Sequence, residues 1–263
     1  MKKHPFLRGM SAFYSVLVFT FMYAPIVVLI VFSFNTLKSR GKWGGFTLDW
    51  YRSLFENSSI MSALSNTLTI ALLSSAIAIV VGTMAAIGIF FMSRRWRRIH
   101  MNVAYLPVLN ADIVTGISLL LAFSVLGIRL GYVSLLLAHI TFNVPYVILS
   151  VMPKLQQLEW HAYEAALDLG APPLKAFFKV VLPEIMPGIV TGFLLAFTLS
   201  IDDFVISYFT AGPGVSTLSV TIYAMARKGI KPEINALSAI MFVVVLALLL
   251  IINFRNNASE KKN

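Results

Sequence analysis

Three carboxylates interrupt stretches of the sequence that are otherwise apolar. Asp112 lies in the run 101–128, and Asp202 and Asp203 lie in the run 185–225, with no Lys or Arg near them inside those runs. Placing a charge at the centre of a membrane costs at least about 2.5–3.5 kcal/mol, so such residues usually face the interior of a helix bundle. A path lined by carboxylates suits a polycation and disfavours an anion such as sulfate or phosphate.

Each of these acids also has a purely structural interpretation. Adjacent residues on a helix lie about 100° apart, so one of Asp202 and Asp203 could line a path while the other bonds a neighbouring helix. Asp112 follows Pro107 closely and could cap an irregular helix start. Trp50 could meet a cation through its ring face or anchor the chain at the membrane interface.

His139 and Asn143 are four residues apart and therefore share one face of a helix. We interpret them as an interhelical hydrogen-bonding pair rather than as ligands. The chain has no cysteine and only four histidines, and their spacing is not that of a metal site. No nucleophile–base pattern is present, so we predict neither catalytic nor metal-binding residues.

The composition indicates a membrane protein. Of the 263 residues, 58% are hydrophobic and only 12% are charged, whereas soluble domains carry about 25% charged residues. The net charge of +10 is placed in short loops between apolar runs. That placement favours lipid headgroups over nucleic acid as the partner of the basic residues.

A transmembrane helix needs about 20 apolar residues, and the sequence contains enough such runs for six. We therefore predict an all-α membrane protein that forms a single domain over residues 1–263. The predicted span cores are 13–34, 65–91, 103–127, 132–152, 186–209 and 236–254.

The distribution of basic residues predicts the orientation of these spans. With the N-terminus inside, the inner segments hold 13 Lys and Arg residues and the outer segments hold eight, in agreement with the positive-inside rule. The run "RRWRR" at 94–98 is the clearest single marker. Both termini, and the segment between the fourth and fifth spans, are then cytoplasmic.

That cytoplasmic segment is predicted to form two short helices joined by a tight turn. The first helix, 158–169, ends before Gly170, a residue suited to a left-handed turn. Two prolines then fit the first turn of an amphipathic helix over 174–181. We expect Pro183 and Pro187 to break this helix before the fifth span begins.

The same segment carries a motif. Glu164, Ala165 and Ala166 are separated by three residues from Gly170, which is separated by nine residues from Val180-x-Leu182-Pro183. This spacing resembles the EAA loop of bacterial ABC importer permeases, with Val180 in place of the usual isoleucine. The resemblance implies that the loop is a coupling helix seated in a groove of a separate ATPase subunit.

The chain has no phosphate-binding loop of its own, since its only Gly-Lys pair, Gly41-Lys42, is followed by Trp43. The resemblance therefore implies a non-catalytic permease with no cofactor, whose ATP and Mg²⁺ are bound by partner ATPases. Small side chains at Ala165 and Ala166 would allow a partner to approach the backbone closely, and Glu164 could pair with a basic group on the ATPase.

Longer stretches, among them "YAPIVVLIVFSFN" (23–35), "AHITFNVPYV" (138–147) and "LLAFTLSIDDFVISYF" (194–209), resemble the spermidine/putrescine importers of bacterial inner membranes, and in particular their second permease subunit. The resemblance implies a second, similar permease, two copies of an ATPase subunit and an extracytoplasmic polyamine-binding protein. Two alternatives remain: the same architecture carrying an amino acid, a metal complex or a phosphonate, and an ATP-independent channel or scaffold.

Overall fold

The computed structural model describes residues 5–37, 42–228, 232–243 and 246. Within these residues the chain is built from helices, and the only extended pairing is one antiparallel bridge between Asn35 and Phe46. The predicted all-α architecture is confirmed for this part of the chain.

The described helices are named α1 to α12 in chain order. They are α1 (Pro5–Phe32), α2 (Asp49–Glu56), α3 (Ser58–Phe91), α4 (Arg94–Leu109), α5 (Asp112–Val125), α6 (Tyr132–Gln157), α7 (Trp160–Asp168), α8 (Pro173–Ala176), α9 (Leu182–Asp202), α10 (Val205–Thr210), α11 (Leu218–Lys228) and α12 (Pro232–Val243). A π-helical turn, Phe177–Val181, joins α8 to α9.

Among the described residues, four stretches are long and apolar enough to cross a membrane. They are Phe13–Phe32, Ser58–Phe91, Tyr132–Gln157 and Pro173–Asp202. A fifth span results if α4 and α5, which are bent by 107° at a short break, are taken together. Of the predicted sixth span, 236–254, only 236–243 and 246 lie within the described residues.

The third predicted span, 103–127, is not one continuous helix. Asn110 and Ala111 adopt extended backbone conformations, with ψ of 150° and 135°. These two residues end α4 and start α5 in a new direction. The irregular start expected near Pro107 is therefore present, although Pro107 itself lies inside α4.

The fifth predicted span, 186–209, also differs from the expectation. Pro183 and Pro187 do not break the chain, because α8, the π-helical turn and α9 form one 30-residue helical run, Pro173–Asp202. Pro183 lies in the first turn of α9, directly after a turn whose hydrogen bonding already departs from the α-helical pattern, so its missing N–H is tolerated. The break comes later, after Asp202.

Contacts divide the chain into two units. One comprises Met1–Met61 with Ala224–Asn263, and the other comprises Ser62–Tyr223. The single domain expected over residues 1–263 stays a prediction.

In the first unit, Asn35 organises the segment that follows α1. Its side chain donates to the Lys42 carbonyl at 2.8 Å and accepts the Gly44 N–H at 2.8 Å. In the same unit, Glu233 at the start of α12 accepts a hydrogen bond from Ser53 of α2 at 2.8 Å.

In the second unit, α6 and α9 pack closely because glycines lie at their contact. A Cβ on Gly188 would lie 2.8 Å from the Ser150 carbonyl oxygen, and one on Gly192 would lie 3.3 Å from the Val147 Cα. Gly82 of α3 approaches Val147 from another side, where a Cβ would lie 2.7 Å from that residue's Cβ. Small residues at such positions let helix backbones approach, as is common between membrane helices.

Candidate functional site

The turn between α7 and α8 has the geometry expected from the sequence. Gly170 has a φ of +82°, in the left-handed region that favours glycine. The N–H of Gly170 donates to the Leu167 carbonyl at 2.9 Å, and that of Ala171 donates to the Ala166 carbonyl at 3.0 Å. This pair of bonds is a Schellman motif, which closes a helix while satisfying its last carbonyls.

The helix before this turn presents an accessible surface. No residue of α7 is fully buried, and Glu164 and Ala165 are exposed while Ala166 is half-buried. The Glu164 carboxylate lies 3.4 Å from His161 Nδ1, and both side chains are largely exposed. A partner protein can therefore reach the Glu164-Ala165-Ala166 face without displacing any buried side chain.

Aromatic side chains, which the sequence reasoning did not single out, hold α7 against the end of α3. The Trp160 ring stacks on Phe90 with centroids 5.4 Å apart and meets Phe91 edge-on at 5.1 Å. Tyr163 adds a further edge contact to Trp160 at 5.8 Å. Trp160 and Tyr163 are three residues apart on α7 and so share a face. That spacing was the signal in the sequence.

On the other side of the turn, the chain leads directly into α9. Pro172 lies just before α8 and Pro173 is its first residue, so these prolines occupy the helix start predicted for them. Leu182 and Pro183, the last two residues of the motif, are the first two residues of α9. The turn is thus followed by one continuous helical run, Pro173–Asp202.

The neighbouring acids Asp202 and Asp203 lie in different environments. Asp202 ends α9, is exposed, and forms no hydrogen bond or ion pair within the described part of the chain. Asp203 is extended, and its side chain is only 6% exposed. Its carboxylate accepts the N–H groups of Ile206 at 3.1 Å and Ser207 at 2.7 Å. It therefore provides acceptors for free N–H groups in the first turn of α10. The extended backbone at Asp203 accounts for the break in the fifth predicted span.

A buried polar network surrounds Asp203. His139 Nε2 lies 3.6 Å from the Asp203 carboxylate and 3.1 Å from Ser207 Oγ, and its Nδ1 lies 2.6 Å from Ser200 Oγ. Ser200 Oγ is in turn 3.3 Å from Ser74 Oγ, which accepts the Asn143 amide at 3.2 Å. The network joins α3, α6, α9 and α10.

The predicted role of His139 and Asn143 in bonding between helices is thereby confirmed. Their serine partners were not predicted, because Ser is common in apolar helices and Ser74 lies far from Ser200 and Ser207 in sequence. Ser200 and Ser207 lie on either side of the break after Asp202, and both contact the His139 ring.

Asp112 and Trp50 form no hydrogen bond with the described members of this network. Asp112 is the first residue of α5, is exposed, and makes no capping bond there. Trp50 is half-buried in α2, and its indole N–H donates to the Asn35 carbonyl at 2.7 Å. Across the described residues, no three His, Asp or Glu side chains cluster closely enough to hold a metal ion.

Most of the chain matches a known protein family. Residues 78–262 match the family described as binding-protein-dependent transport system inner membrane component. The spermidine/putrescine transport system permease protein PotC of Escherichia coli (strain K12) is 39% identical over 93% of this chain and 91% of its own length. The putrescine transport system permease protein PotI of the same strain is 41% identical over 86% of this chain and 83% of its own length.

Solved structures show the same fold at low sequence identity. A chain of a bacterial ABC transporter involved in the import of the acidic polysaccharide alginate is 20% identical, with a TM-score of 0.72 over 97% of this chain and 96% of that chain. A second structure shows that kind of transporter in complex with a periplasmic protein bound to an alginate pentasaccharide, with 17% identity and a TM-score of 0.71 over 94% of this chain and 92% of that chain.

Proposed function

The chain belongs to the binding-protein-dependent transport system inner membrane component family, and we propose that it is a permease subunit of an ATP-driven polyamine importer. The observation that carries the proposal is 39–41% identity to permeases for spermidine and putrescine over most of the chain. The exposed α7 and its Schellman turn support it, because such an importer requires an accessible docking element for its ATPase.

The proposed energy source is a pair of ATPase subunits that bind ATP and Mg²⁺ outside this chain. Their docking surface is the Glu164-Ala165-Ala166 face of α7, with Gly170 setting the turn and Leu182-Pro183 beginning α9. This chain then has no catalytic step of its own. It converts movement of the ATPases into movement of membrane helices.

One continuous helical run and one aromatic contact support this transmission. The 30-residue run Pro173–Asp202 carries a displacement from the turn into the membrane. The stacking of Trp160 on Phe90, 5.4 Å between centroids, carries the same displacement to the end of α3. The docking element is therefore linked to two spans at once.

For the cargo, we propose that Asp202 and Asp112 face the path. Both carboxylates are exposed, and Asp202 lies at the C-terminus of α9, where the helix dipole also favours a cation. Asp203 positions the start of α10, since its carboxylate accepts two backbone N–H groups of that helix. The same carboxylate lies 3.6 Å from His139. Trp50 belongs to the segment proposed to meet the delivered polyamine.

The proposed assembly contains a second, similar permease and an extracytoplasmic polyamine-binding protein. Six spans, with both termini in the cytoplasm, would place α7 beside the ATPases and α2 on the side of the binding protein. Exposed apolar side chains along α1, such as Phe21 at 81%, supply a surface for lipid or for the second permease.

The fold by itself does not determine the cargo. Chains with this fold occur in an alginate transporter and in an amino acid ABC transporter, so another small solute is the alternative. Cells that carry the assembled system should accumulate labelled spermidine and putrescine, and unlabelled polyamine should compete while an amino acid or phosphonate should not. Accumulation of neither polyamine would contradict the assignment of cargo.

A further inference from the structure

A basic cavity lies at the junction of α3 and α4. It has a volume of about 440 Å³ and is lined by Phe90, Arg94, Arg97, Arg98 and Gln156. Three guanidinium groups therefore border one space that also offers an aromatic ring and a side-chain amide.

The arginines of this cavity have no counter-charge within the described residues. None of them forms an ion pair there, and the first turn of α4 holds no acidic residue. Ser93, which precedes α4, makes no capping bond with its side chain. The free N–H groups and the positive dipole end of α4 thus add to the charge of the arginines, and an anion is the complement that this arrangement lacks.

One of the guanidinium groups is already held in place. Arg97 lies over the Phe90 ring, 5.9 Å from its centroid, and its Nη1 is 3.5 Å from the Phe90 carbonyl oxygen. Arg94 and Arg98 are exposed and free to close on a ligand. The planar fork of arginine suits phosphate oxygens in particular, because it can donate two parallel hydrogen bonds.

The position of the cavity identifies the source of the phosphate. It lies at the end of α3, a 34-residue apolar helix long enough to cross the membrane. Phe91 is 65% exposed and Trp96 is 58% exposed beside it, and aromatic side chains of this kind gather at the level of lipid headgroups. We propose that this cavity binds the phosphate of an anionic phospholipid headgroup.

This site would stabilise the surface on which α7 rests. Phe90 lines the cavity and also stacks on Trp160, so a headgroup that fixes Arg97 and Phe90 also fixes the anchor of the docking helix. The inference itself depends only on contacts within α3, α4 and α6, and it does not require the proposed cargo to be correct.

The experiment titrates the full chain, purified in a neutral detergent, with short-chain phosphatidylglycerol and records thermal unfolding and bound lipid by native mass spectrometry. Arg95 provides a matched control, because it lies in the same basic run but does not line the cavity. Arg98→Gln should weaken binding about fivefold, since one basic residue near an anionic headgroup contributes roughly that factor. Arg95→Gln should leave the affinity unchanged.

Three results would overturn the proposal. The first is equally tight binding of phosphatidylcholine and phosphatidylglycerol. The second is an equal loss of binding in Arg95→Gln and Arg98→Gln. The third is reproduction of the whole effect by inorganic phosphate, which would identify a free anion as the ligand. Arg94→Gln changes a second exposed arginine of the cavity, and it should repeat the result of Arg98→Gln if the site is real.

Discussion

Asp202 and Asp203 are adjacent in sequence, yet the structure gives their carboxylates different tasks. That of Asp202 is exposed at the end of α9, whereas that of Asp203 is buried and accepts two backbone N–H groups of α10. The difference arises because the backbone leaves the helix at Asp203, which turns the two side chains into different surroundings. A substitution at each position should therefore have a different signature.

Asp202→Asn should reduce transport without reducing the amount of folded protein. A pair of charges 4 Å apart interacts by about 1 kcal/mol in water and about 4 kcal/mol near a protein surface, so we expect uptake of spermidine at low concentration to fall about tenfold or more. Initial rates in cells, corrected for permease abundance, measure this effect. Asp202→Glu, which keeps the charge, should retain most of the uptake, and equal loss in both variants would contradict a role for charge.

Asp203→Ala should instead destabilise the protein. Leaving a buried hydrogen-bonding group unpaired costs about 1–3 kcal/mol, and this variant removes the acceptor of the Ile206 and Ser207 N–H groups. Thermal unfolding of the full chain in detergent should show a lower midpoint. Asp202→Ala is the matched control and should unfold close to the unsubstituted protein, so a similar drop in both variants would argue against the capping role.

Much of this polar chemistry could be anticipated, but its arrangement could not. The acids stand out against the apolar runs around them, and the four-residue spacing of His139 and Asn143 predicts a shared face. Ser74, Ser200 and Ser207 give no comparable signal, because a hydroxyl in an apolar helix often bonds only its own backbone, as Ser75 does to the Ala71 carbonyl at 2.6 Å. Their network depends on how separate helices pack.

At the level of elements, the turn at Gly170 is the feature most open to a direct test. A residue with a side chain in the left-handed region costs about 1–2 kcal/mol, so Gly170→Val should distort the junction of α7 and α8. We expect less ATPase subunit to co-purify with the permease and a weaker stimulation of ATP hydrolysis by the loaded binding protein. Ala171→Val, at a neighbour without a positive φ, should leave both properties nearly unchanged.

The contact between α6 and α9 predicts a second effect at this scale. Gly188→Ala would place a methyl group 2.8 Å from the Ser150 carbonyl oxygen, and overpacking of this kind costs about 1–3 kcal/mol. Gly88→Ala is the matched control, since its Cβ would meet no atom of the described residues within 4 Å. Thermal unfolding should separate the two variants, and equal midpoints would show that α6 and α9 do not pack as described.

Helices that are defined by long apolar runs could be predicted from the sequence. Features that depend on local backbone geometry could not. Long apolar runs identify α3 and α6, and Gly170 followed by Pro172 and Pro173 identifies the turn. The bend at Asn110–Ala111 and the π-helical turn at Phe177–Val181 leave no trace in hydropathy. Proline was misleading at Pro183, because a π-helical turn just before it removes the penalty that a regular helix would impose.

At the level of the whole molecule, the proposed transport depends on partner subunits. The family establishes an inner-membrane component of a binding-protein-dependent system. The cavity at the end of α3 adds the lipid as a further partner.

We propose above all that this chain forms part of a polyamine path driven by external ATPases through α7 and α8. Its most direct test is uptake of labelled spermidine by proteoliposomes that contain the complete complex, ATP and the loaded binding protein. We predict accumulation that requires ATP and that falls strongly when Asp202 is replaced by Asn in this chain. Accumulation without ATP, or none when every component is present, would contradict the account.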